Sequence, residues 1–100
     1  MNLFSLRTAR LAGLVLVPGL FLAACDMPPE GTDAQDIANY EAAVASIGCN
    51  LITEPDYLAV AFQTGLTRDQ VMEMTQFQLA ARRAETLPEG GVKLTTGVCA

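Results

Sequence analysis

Ala61-Phe62-Gln63-Thr64-Gly65-Leu66-Thr67-Arg68-Asp69-Gln70-Val71 contains the end of one helix, a turn and the start of another. Tyr57, Leu58, Ala61 and Phe62 recur at three- and four-residue spacing and predict an apolar stripe running up to Gly65. Gly65 accepts the left-handed conformation that ends a helix. Thr67 and Gln70 have the spacing of a capping box, and Leu66 before them suits a hydrophobic staple. Two helices meeting at a short turn point to a mostly α fold.

Working toward the amino end, Thr53 can cap the second helix, with Glu54 and Pro55 in its first turn. A proline costs nothing there and a carboxylate complements the helix dipole. Asn50-Leu51-Ile52-Thr53 reads as a brief extended link. A first helix is expected over 34–47, capped by Thr32 or Asp33. Ile37, Tyr40, Val44 and Ile47 form its apolar face, and Gly48 ends it. Upstream, Pro28, Pro29 and Gly31 give residues 25–35 the composition of a tether with little to bury.

Toward the carboxyl end, a third helix is expected from Arg68 to about Thr86, stopped by Leu87-Pro88. Asp69, Glu73, Gln76, Ala80 and Arg83 form a solvated stripe. Its apolar surface divides into Val71, Met72 and Leu79 on one flank and Met74, Phe77 and Ala81 on the other. Thr75, Gln78, Arg82 and Glu85 make a polar seam between them. In the simpler arrangement the C-terminal segment folds back over the second flank. Left open, that flank makes Met74 and Phe77 a candidate partner surface. After the turn-forming Leu87-Pro88-Glu89-Gly90-Gly91, residues 92–96 predict a short strand whose partner is the link around Leu51 and Ile52. The fold expected for 36–100 is thus a small bundle of about three helices with a short C-terminal extended segment.

The first 24 residues have a different character. Arg7 and Arg10 precede Leu11-Ala-Gly-Leu-Val-Leu-Val-Pro-Gly-Leu-Phe-Leu22, an apolar run too short for a comfortable membrane span and broken by Pro18-Gly19. It ends in Leu22-Ala23-Ala24-Cys25, which resembles the lipobox of bacterial lipoproteins. The resemblance covers the leader and cut site alone. It implies cleavage between Ala24 and Cys25, a diacylglyceryl group on the Cys25 thiol and acylation of the new amine. One acyl chain holds a protein reversibly, whereas two or three hold it firmly. The implied location is the periplasmic side of the cell envelope. Asp26 resembles the signal that retains some lipoproteins at the inner membrane.

That assignment changes the rest. All eleven acidic side chains follow Cys25, while two of the six basic ones belong to the leader, which gives the remaining 76 residues a net side-chain charge of −7. Phosphate backbones and anionic membrane surfaces repel such a domain. Of three cysteines, Cys25 goes to lipid, and Cys49 and Cys99 remain as an even pair in an oxidising compartment. A disulfide between them is expected to be worth about 4 kcal/mol in the chain-entropy model. They lack the C-x-x-C spacing of a redox-active pair.

Ala61, Gly65 and Val71 also resemble the small, turn and aliphatic positions of DNA-binding helix-turn-helix segments. DNA reading implies a basic recognition helix. Arg68 is followed here by Asp69 and Glu73, so the spacing is read as helix packing and no nucleic-acid partner is expected.

Catalytic equipment is sparse. The chain has no histidine, which removes the commonest general base and metal ligand. The carboxylate pairs Glu54/Asp56 and Asp69/Glu73 each sit where helix starts favour acids. No cofactor, metal site or catalysis is expected. The reading is a lipid-anchored accessory or scaffold protein that binds a protein partner at the membrane. The alternatives are a small-ligand carrier or sensor, with a cavity lined by Tyr40, Tyr57 and Phe62, and an inhibitor of an envelope enzyme.

Overall fold

The computed structural model of the chain describes residues 27–100. The stretch that resembles a lipobox, the cut expected between Ala24 and Cys25, and Asp26 lie outside the described residues. Three helices pack beside a small antiparallel sheet: α1 (Ala34–Ser46), β1 (Asn50–Leu51), α2 (Glu54–Thr64), α3 (Arg68–Ala80), β2 (Ala84–Thr86), β3 (Val92–Leu94) and a closing 3-10 turn (Gly97–Cys99). The mostly α expectation holds.

Every α-helix start is held by bonds between side chains and backbone amides, reciprocal at α1 and α3. At α1, Asp33 accepts from the Asp36 amide and Asp36 accepts from the Asp33 amide, both at 3.0 Å. At α3, Thr67 and Gln70 exchange the same pair at 3.0 Å. Asp56 of α2 accepts from the amides of Ile52 and Thr53, each at 2.9 Å. These bonds hold its carboxyl below the ordinary carboxylate range. Order begins before α1. Thr32 bonds the Pro29 carbonyl through both its amide, at 3.1 Å, and its hydroxyl, at 2.5 Å. A turn therefore occupies part of the stretch whose composition suggests a tether.

The third helix stops earlier than its sequence suggests. It ends at Ala80 instead of about Thr86, because Arg82 adopts φ 60°. The Arg82 amide bonds Leu79 O at 3.1 Å and the Arg83 amide bonds Gln78 O at 2.9 Å. Those two bonds form a Schellman motif with arginine where glycine is usual. A non-glycine residue there costs about 1–2 kcal/mol. Tertiary bonds offset the strain: the Thr95 amide donates to Arg83 O at 2.8 Å, and Ala84–Thr86 pairs with β3.

The sheet order is β1-β3-β2. The expected pairing of 92–94 with the link after Cys49 is present, with Asn50 opposite Lys93 and Leu51 opposite Val92. The second partner, β2, takes up residues the sequence assigns to helix. Gly91 lets the hairpin close over β1, since a Cβ there would lie 2.8 Å from the Leu51 carbonyl oxygen. Tyr40, Val44, Leu51, Val60, Val71, Met74 and Leu94 fill the core between helices and sheet. Cys49 and Cys99 form the expected disulfide, with Cα atoms 5.7 Å apart.

Candidate functional site

The divided face of α3 is where the sequence locates a candidate surface, and the structure inverts it. Met74 has no exposed surface and sits in the core, while Phe77 is half-buried against it. The candidate partner surface at Met74 and Phe77 is therefore corrected to an interior flank. The returning strand β2 packs against α3, as do α1 and α2. Four members of the expected solvated stripe, Asp69, Glu73, Gln76 and Ala80, are exposed, whereas Arg83 lies beyond the helix end, partly buried and paired with Glu41.

The polar seam divides: Arg82 and Glu85 are exposed, while its helical half is buried. Thr75 and Gln78 are inside, at 3% and 0% exposure, so each needs a bonding partner. The Thr75 hydroxyl donates to Val71 O at 2.8 Å and lies 2.7 Å from the Tyr40 hydroxyl. Thr75 has one proton, already committed to Val71, so Tyr40 is the donor between them. Burial pushes the Tyr40 phenol up to about 12, a shift the Thr75 bond only partly opposes. Tyr40 thus stays neutral and ties α1 to α3.

Gln78 donates to Glu41 Oε2 at 2.8 Å, and the Arg83 guanidinium reaches the same oxygen at 2.5 Å. One carboxylate of α1 therefore binds both α3 and the arginine beyond its C-terminal cap. The Gln78 Oε1 and Asn50 Oδ1 atoms are buried without a protein partner. This network has the chemistry of a register lock. Its hydroxyls and amide are weak acids, and its one carboxylate is committed to an arginine. Among the described residues, no group of three or more Cys, Asp and Glu side chains is placed to hold a metal ion.

An apolar stripe missed by sequence reading lies on α2. Tyr57 and Ala61 pack against the core and Val60 is fully buried. Leu58 and Phe62, assigned by spacing to the same inward stripe, point outward at 51% and 89% exposure. The signal available was Val60: a β-branched residue on the opposite flank of Ala61 shifts the buried arc by about 100° per residue. Tyr40 is buried, Tyr57 half-buried and Phe62 exposed, so these three do not line one cavity. Beside the stripe, Arg68 makes a two-nitrogen ion pair with Glu54, one bond at 2.7 Å, and lies 5.9 Å above the Tyr57 ring. The pairing holds the Glu54 carboxyl below its ordinary range.

No protein-family model, curated protein or solved structure matches the chain.

Proposed function

We propose that the chain is a lipoprotein of the bacterial cell envelope, anchored on the periplasmic side by acyl chains on Cys25. Its domain acts as a non-catalytic accessory that binds a protein partner at the membrane surface. The carrying observation is Leu22-Ala23-Ala24-Cys25 at the end of an apolar run preceded by Arg7 and Arg10. The Cys49–Cys99 bond supports an oxidising compartment. Asp26 favours retention at the inner membrane. With Met74 and Phe77 interior, the surface left for a partner on α3 is its exposed polar side, Asp69, Glu73 and Gln76. Carboxylates at that position favour a partner with basic side chains.

Replacing Cys25 with alanine should abolish labelling by radioactive palmitate and move the protein from the membrane pellet to the soluble fraction. Unchanged labelling and fractionation would overturn the anchor. A photocrosslinker at position 76 should trap a specific envelope protein in cells, and the adduct should weaken when Asp69 and Glu73 become Asn and Gln. A trapped adduct indifferent to those changes would remove the acidic docking face.

A further inference from the structure

The turn at Pro29 sets how far the domain can stand from the bilayer. Three residues, Asp26, Met27 and Pro28, separate Cys25 from Pro29. A chain of that length spans at most about 14 Å. A domain of this size has a radius of gyration of about 11 Å, so a lipidated Cys25 would keep part of its surface among the headgroups.

The site where the chain leaves the domain narrows the choice of face. A side chain at Gly31 would lie 3.4 Å from the Gln70 amide, in the first turn of α3. The tether therefore leaves beside the corner where α2 gives way to α3, and Phe62 occupies the last turn of α2. Pro55, Leu58 and Phe62 recur on α2 at helical spacing and are all exposed. Ionic groups near this stripe are already engaged: Glu54 with Arg68, and Asp56 with two backbone amides. The exposed side of α3 carries Asp69 and Glu73, which anionic headgroups repel. Met27 in the tether itself is 68% exposed.

We propose that the Leu58–Phe62 side of α2 rests in the interfacial layer of the bilayer that holds the anchor, leaving the acidic side of α3 facing away. This rests on lipidation at Cys25. Tether length and charge together select the lipid surface as the occupant, since an interfacial helix buries apolar side chains at the headgroup boundary without spanning.

The chain has no tryptophan, so F62W introduces a single emitter at an exposed position. The lipidated protein carrying F62W is reconstituted into phosphatidylcholine vesicles, with V98W, at a position 87% exposed on the 3-10 turn, as its counterpart. F62W emission should shift to the blue and lose most of its intensity in vesicles brominated near the top of the acyl chains, while V98W changes little. Protein that floats with the vesicles while F62W emits as in water overturns the proposal and leaves the anchor intact. A blue shift without bromine quenching that disappears on dilution within the bilayer assigns the stripe to a second copy and overturns it. Equal quenching of both variants denies a preferred face. Failure to float overturns the anchor itself.

Discussion

Cys99→Ala is expected to lower the unfolding free energy by about 4 kcal/mol. The bridge spans a sequence separation of 50, and closing a loop of that length removes much of the unfolded chain's freedom. A core this small supplies about 3–5 kcal/mol, so losing the bridge should leave the domain largely unfolded at body temperature. Backbone bonds alone do not replace it. Leu94 donates to Cys49 O at 2.9 Å, but that bond also depends on the 3-10 turn staying beside the end of α1. The measurement is urea unfolding of wild type, with and without reductant, beside Cys99→Ala. The reduced wild type and the variant should share a midpoint well below that of the oxidised protein. Equal midpoints for oxidised and reduced wild type would show that the bond stabilises nothing.

The second large effect separates two apolar residues that sequence reading places the wrong way round. Met74→Ala should cost about 2–5 kcal/mol, the range for emptying a fully buried large side chain. Phe62→Ala should change stability by no more than about 0.5 kcal/mol, as for surface substitutions elsewhere. Met74 touches no water and Phe62 is 89% exposed, which produces the contrast. Chemical denaturation of both variants checks it. A stable Met74→Ala protein would return that residue to the surface.

These two residues also mark what periodicity conveys. Helix starts were legible because Asp33, Thr53 and Thr67 act within four residues of themselves, and short-range chemistry is written locally. The disulfide was legible by elimination among three cysteines. The end of α3 was not. Ala80-Ala81-Arg82-Arg83-Ala84 has good helix propensity, and what stops it is remote: Glu41 holding Arg83, and β3 claiming Ala84–Thr86. Likewise, a seam of Thr75 and Gln78 looks solvated until Tyr40 and Glu41, some 35 residues earlier, arrive to satisfy it. The partner surface was misjudged for that reason. A polar residue between two apolar flanks suggests a boundary, whereas here it is a bond across the interior. The resemblance of Leu22-Ala23-Ala24-Cys25 to a lipobox stands apart, resting on sequence order alone.

The order of strands has a consequence for how the chain comes together as it is made. β3 lies between β1 and β2 and follows both in sequence. A chain emerging amino end first therefore presents two edges with nothing to join them until residues 92–94 appear. Cys49 meets Cys99 later still. The three helices can flicker into place early, but closure waits for the carboxyl-terminal segment. A chain with this strand order cannot lock until its last residues have been made.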